Sequence, residues 1–185
     1  MKRFLLISAV VVLSASTPAA SLSANDPLSQ SAATVGRLTV LLDQLRLDAI
    51  AARDPEDATR FVAAFYLPGS QLLVVSSPYP IPAVIEKKIA ARQYMDAYAD
   101  LQTIRDHTGQ FFVVDMQADG LRQQVKLSDL FDSTSVDGQA PVVFDGKSEE
   151  QQLTEEAYEA RFAADDARYA RMLTVLINEL ARKTT

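Results

Sequence analysis

Four kinds of side chain in this sequence could do chemistry: one imidazole, a scatter of carboxylates, many hydroxyls, and tyrosines with arginines near them. His107 is the only histidine. It stands in Asp106-His107-Thr108-Gly109, where a ring titrating near neutrality could shuttle a proton, although a solvated loop residue is the plainer reading. A catalytic zinc usually wants two or more His or Cys ligands. The chain has no cysteine, so no metal centre of that kind is expected. Carboxylates gather at Asp115, Asp119-Gly120, Asp132, Asp137-Gly138 and Asp145-Gly146, and calcium prefers oxygen ligands. From Asp132 to Gly138, however, Thr134 and Val136 occupy the second and third ligand positions and the glycine comes one place late. Asp-Gly pairs are also ordinary turns. No G-x-S-x-G elbow, Walker loop or G-x-G-x-x-G is present. Paired carboxylates for glycoside chemistry cannot be picked from 24 acids without geometry. The aromatic set remains. Tyr66, Tyr79, Tyr94, Tyr98, Phe111 and Phe112 flank an expected sheet, and a tyrosine joins an apolar body to a polar tip. With Arg60 and Arg92 close in sequence, these residues could line a pocket for a small anionic or amphipathic ligand. Arg60, Tyr79, Tyr94 and Tyr98 are the candidate binding residues; the competing reading makes the aromatics core and rim of the sheet.

The elements that would position these residues follow from periodicity. Val35, Leu38, Leu41, Leu42 and Leu45 recur at three- and four-residue steps and predict a helix from about Ala32 to Arg46. Leu47 to Arg53 reads as a short strand. Asp54-Pro55-Glu56-Asp57 suits a turn, yet an acid, a proline and two more acids also begin helices. Phe61, Val62, Phe65 and Tyr66 suit a strand and favour the turn, with Pro68-Gly69 closing a second one. Gln71 to Ser77 is the clearest strand, an apolar run bounded by turn residues. A helix is expected from about Pro82 to Arg92, with Val84, Ile85 and Ile89 inward. Tyr94 to Ile104 alternates in part and reads as a strand. Asp106 to Gly109 is a hairpin signal, and Gln110 to Met116 the returning strand. Leu127 to Phe131 resembles one helical turn, and Pro141 to Phe144 a short strand before the Asp145-Gly146 turn. A last helix of about 27 residues carries Tyr158, Phe162, Tyr169, Met172, Leu173, Leu176 and Leu180 as its stripe. Glu155 and Glu156 suit its start. Such a helix would reach about 40 Å, so its far end is expected to pack on a second subunit in a homodimer.

The first residues read as a secretory signal. Lys2 and Arg3 form a positive start, Phe4 to Leu13 an apolar run broken only by Ser8, and Ser14 to Ala24 a small-residue region. Cleavage between about residues 19 and 24 is expected, with an uncleaved anchor as the alternative. The run is about half the roughly 20 residues a spanning helix needs, so no stable membrane span is expected after processing. Losing residues 1–24 moves the balance from 18 basic against 24 acidic residues to 16 against 24, a formal charge of −8. Nucleic acid is an unsuitable partner for such a chain, since that affinity rests on clustered Lys and Arg. Without disulfides, stability must come from a core. Some 160 residues suffice for one, and 48% hydrophobic content with 6 Gly and 8 Pro is globular. The expected organisation is a leader over 1–24, a flexible segment over 25–33, and one α+β domain over 34–185. Its fold class is α+β: an antiparallel sheet or split-barrel-like core with an N-terminal helix, a mid-chain helix and a long C-terminal helix. The expected location is periplasmic or extracellular.

From Val35 to Leu121 this order of elements resembles the FMN-binding split-barrel family, to which the pyridoxamine-phosphate oxidase relatives belong. The segment carrying the likeness is Arg60-Phe61-Val62-Ala63-Ala64-Phe65, then Pro68-Gly69-Ser70 and Gln71 to Ser77. The resemblance implies a flavin whose phosphate is held by an Arg at the start of one strand, a Lys at its end and a basic pair after the next. Here Arg60 matches, Phe65 stands at the Lys position, and Pro80-Ile81-Pro82 replaces the basic pair. A phosphate with about two negative charges needs fixed cations or a helix N-terminus, and one arginine is a poor substitute. The residues therefore favour an exported, non-catalytic binding or interaction module without cofactor. A split-barrel-like flavin- or haem-binding protein or oxidoreductase is the alternative.

Overall fold

The computed structural model describes residues 29–67, 71–78, 83–103, 110–123 and 131–184. Helix α1 (Gln30–Leu45) is followed by strands β1 (Ala49–Arg53), β2 (Phe61–Leu67) and β3 (Gln71–Ser77). Helices α2 (Ala83–Ala90) and α3 (Tyr94–Thr103) come next, then β4 (Phe111–Met116), β5 (Ser133–Val136), β6 (Val142–Val143), a 3₁₀ turn over Ser148–Gln151, and α4 (Glu155–Thr184). The six strands form one antiparallel sheet in chain order, β1 to β6, with every neighbouring pair antiparallel. The α+β class with an antiparallel sheet and N-terminal, mid-chain and long C-terminal helices is what the sequence leads one to expect.

Both faces of the sheet are covered. Val62, Ala64, Leu72, Val74, Phe111 and Val113 face a core built with α1 and α4. Phe61, Ala63, Phe65, Leu73, Val75 and Phe112 face a second core with Ile85, Ala97 and Leu101 of α2 and α3. Double coverage is why β2 and β3 are nearly unbroken apolar runs; a half-solvated strand alternates instead.

The Asp54–Arg60 segment is a turn, which decides between strand and helix. Asp54 Oδ1 accepts the Glu56 N–H at 3.0 Å, Asp57 Oδ1 accepts the Thr59 N–H at 3.0 Å, and the Asp54 N–H donates to the Arg60 carbonyl at 2.9 Å. Each aspartate spends one oxygen on a backbone N–H of the turn, which holds the chain in a turn and not in a helix start.

Helix α1 starts at Gln30, inside the span expected to be flexible, and a residue from the other end of the chain holds it there. Ser29 makes no capping bond. Instead Asp166 of α4 accepts the Gln30 N–H at 2.6 Å, the Ser31 N–H at 3.2 Å and the Ser31 hydroxyl, placing a carboxylate where helix N–H groups lack partners. The buried Val35, Leu38 and Leu42 then lie along α4. Thr154 caps α4 in the ordinary way, its Oγ1 accepting the Ala157 N–H at 3.2 Å.

Two expectations are corrected. Tyr94–Thr103 is a helix, not a strand: Tyr94, Ala97, Tyr98 and Leu101 are spaced for one helix face, and Ala97 and Leu101 are fully buried. Val84 points outward at 52% exposure while Ile85 is buried. At the far end of α4, Leu173, Leu176, Ile177 and Leu180 are buried within this same chain. At roughly 45 Å, α4 runs along both the sheet and α1. Among the described residues no helix is long and apolar enough to cross a membrane. The expected hairpin at Asp106–Gly109 lies outside the described residues, as does all but Phe131 of the expected helical turn at Leu127–Phe131.

Candidate functional site

The α2–α3 corner creates a cavity. Helix α2 ends on Arg92 in the left-handed conformation (φ 59°), with the Arg92 N–H on the Ile89 carbonyl and the Gln93 N–H on the Lys88 carbonyl. The chain then turns directly into α3, and the Lys88–Asp100 ion pair at 2.7 Å ties the two helices together. This short joint sets the first turn of α3 over the Leu67–Gln71 end of β2 and β3. Beneath it is a cavity of about 270 Å³ lined by Phe65, Leu67 and Leu73 of the sheet, Tyr94, Met95 and Tyr98 of α3, and polar Asp48, Gln71 and Arg92.

Its chemistry is amphipathic. Phe65 and Tyr98 stack edge to face with centroids 5.7 Å apart. The Tyr94 hydroxyl is buried with no hydrogen-bond partner among the described residues. A buried polar group in that condition is unusual and costs roughly 1–3 kcal/mol. Met95 at 66% and Leu67 at 36% exposure leave apolar surface at the rim. A smaller cavity of about 60 Å³ adjoins, sharing Leu73 and Tyr98 and reaching Phe112, Val114, Ser133, Ser135 and Pro141.

Of the candidate residues, Tyr94 and Tyr98 come together here with Arg92. Tyr79 lies outside the described residues, as does His107. Arg60 is elsewhere. It precedes β2 at the strand end remote from Leu67, bonds the Ser76 hydroxyl at 3.2 Å and faces Asp57 at 3.6 Å. Ser76 is in register with Val62 and Phe111, on the α1/α4 face of the sheet, so Arg60 and the tyrosine cavity serve opposite faces. Nearby, Arg168 lies over the Phe111 ring at 4.1 Å. Burial first, then Arg60, push its guanidinium below the usual arginine range. Arg171 pairs with the buried Asp54 at 2.8 Å and Glu56 at 3.2 Å.

The acidic residues do structural work. Asp115 Oδ1 accepts the Asp119 N–H at 3.1 Å; its Oδ2 accepts the Gly120 N–H at 3.0 Å and the Tyr169 hydroxyl at 2.9 Å. Asp132 accepts the Met116 and Arg122 N–H groups, each at 2.8 Å. Two buried carboxylates thus hold the loop after β4, whose Gln117, Ala118 and Gly120 all have positive φ. Burial raises Asp115 to about 6, against the downward pull of its donors. Burial and the neighbouring Asp115 raise Asp132 to about 8, again against its two backbone donors. Burial, with Asp115 beside it, puts the Tyr169 phenol well above its usual range. Among the described residues no three His, Asp or Glu side chains are grouped to hold a metal ion. Sequence reasoning missed Asp165 and Asp166. Both are buried on α4, Asp165 against Thr134 and Arg161 and Asp166 against Ser31; a carboxylate on the core side of a stripe gives no periodic signal.

No family model, curated protein or solved structure matches this chain.

Proposed function

We propose that this chain is an exported, non-catalytic binding module that takes up a small amphipathic ligand under α3. The observation that carries the reading is the cavity of about 270 Å³ in which a buried tyrosine hydroxyl lacks a partner. Natural ligand sites are largely apolar concavities with a few convergent polar groups, and this lining has that composition. It offers two phenols, a guanidinium and an amide as binding groups. Among the described residues, no nucleophile paired with a base lines it. Export is supported by Lys2 and Arg3, the apolar run to Leu13 and the small residues before Ala24.

Titration with the fluorescent amphiphile 1-anilinonaphthalene-8-sulfonate tests the reading. Saturable one-site binding is expected, weakened severalfold by Met95→Glu, which removes an apolar rim contact and adds a second anion beside Asp48. Because Met95 is mostly exposed, the urea midpoint should not move. Absence of saturable binding to the folded protein refutes the module. A visible flavin or haem spectrum of the purified protein would favour a cofactor carrier instead.

A further inference from the structure

The two cavities on the α2/α3 face follow one line across the sheet. Phe65 is in register with Leu73, Leu73 with Val114, and Val114 with Ser133. These four residues form a single cross-strand row about 14 Å long at the usual strand spacing. The larger cavity occupies the Phe65–Leu73 part of the row and the smaller one the Leu73–Ser133 part, with Leu73 and Tyr98 common to both. Apart from the Tyr98 ring the floor from Leu73 to Val114 is continuous and apolar. Such a trough suits an extended chain better than a compact ring system. A cavity of about 150 Å³ holds a six-carbon ring, so the larger space takes about ten carbons by the same measure, and the smaller one about two more.

The polar end is equally specific. The Tyr94 hydroxyl is buried without a partner, and the Arg92 side chain has none among the described residues. A guanidinium only donates, and a phenol donates best to an anion, so one carboxylate satisfies both. Asp48 also stands at this mouth, exposed to water. Its charge, weakened by water, repels a dianion such as a phosphate monoester about twice as strongly as a carboxylate and so favours the monoanion.

Resting on the ligand-binding reading above, we infer that the ligand is an unbranched fatty carboxylate of about ten carbons. Its head lies at Arg92 and Tyr94, and its tail ends against Tyr98, the partition before the smaller space beside Phe112 and Val114.

Calorimetric titration of hexanoate, octanoate, decanoate, dodecanoate and decanol, below their micelle thresholds, reads this directly. Affinity should rise about fourfold per added CH₂ as far as decanoate, the gain for each buried methylene. Decanoate should exceed decanol about tenfold or more, and Arg92→Gln should bring decanoate down to the level of decanol. Tyr98→Ala, which opens the partition, should move the length at which affinity stops rising outward by about two carbons. Equal binding of decanol and decanoate overturns the head-group assignment, affinity flat with length overturns the apolar trough, and a length limit that Tyr98→Ala leaves unmoved overturns the partition. If none of these compounds binds while 1-anilinonaphthalene-8-sulfonate still does, the fatty-acid inference fails alone; if the dye does not bind either, the module fails with it.

Discussion

Asp115 and Asp132 should make this protein most stable in mildly acidic solution. Both are buried, and both hold their protons far more tightly folded than unfolded, at about 6 and about 8 against 3.8. A group whose folded value is raised contributes stability that is complete below the unfolded value and lost as pH rises through the folded one. The window therefore runs from about pH 4 to beyond pH 8. Between pH 5 and pH 8 the native state gives up nearly one proton from Asp115 and about half of one from Asp132, while the unfolded chain gives up almost none. At about 1.4 kcal/mol per unit, the loss is on the order of 3–5 kcal/mol, a large share of a typical domain's stability. The groups facing the pair are Asp119, paired with Arg122 at 3.0 Å, and Tyr169, which does not titrate in this range. Urea unfolding at pH 5, 6, 7 and 8, at constant ionic strength in a His107→Gln background, isolates the effect from the one imidazole. The midpoint should fall steadily with an unchanged m-value. Asp132→Asn should flatten most of that slope, at a cost of about 1–2 kcal/mol at pH 5 because an amide can accept only one of the two N–H groups. A midpoint that stays level or rises from pH 5 to pH 8 refutes the reasoning.

Three further changes probe the packing. Gly120 has φ +94°, and an added Cβ would stand 2.5 Å from the Ala32 Cα, so Gly120→Ala should cost about 2–4 kcal/mol by urea denaturation through backbone strain and overlap together. Asp166→Ala removes the carboxylate that receives the first N–H groups of α1. It should cost about 2 kcal/mol and speed amide exchange at Gln30 and Ser31 before the rest of the helix. Arg171→Met leaves the buried Asp54 carboxylate without its cation. The arginine is 41% exposed, so the expected loss in midpoint stability is only about 1–2 kcal/mol.

The parts of the fold legible in the sequence were those whose burial is one-sided or complete. The α1 stripe, the apolar β3 run and the α4 stripe each carry one period and resolve as expected. Tyr94–Thr103 was misread because its polar residues alternate over a few positions, whereas its buried residues keep helical spacing. Strand β5, Ser-Thr-Ser-Val, was invisible. Its stability comes from pairing with β4 and β6 and from the Thr134–Asp165 bond, none of which is local. Tyr94 and Tyr98, chosen by residue type, line the cavity, as does Arg92; Arg60, chosen with them, stands elsewhere. Arg60 and Arg92 both stand near aromatics in sequence, and only the side of the sheet each serves separates them, which strand register decides.

Pairing α1 with α4 makes the two ends of the chain depend on each other. As the polypeptide emerges from its amino end, the sheet can assemble hairpin by hairpin from near neighbours. Helix α1 has to wait: the sheet gives its oily side part of a cover, and α4 supplies the rest together with the carboxylate for its bare amide groups. A chain without α4 would leave Val35, Leu38 and Leu42 short of part of their cover and the Gln30 and Ser31 amides without their carboxylate.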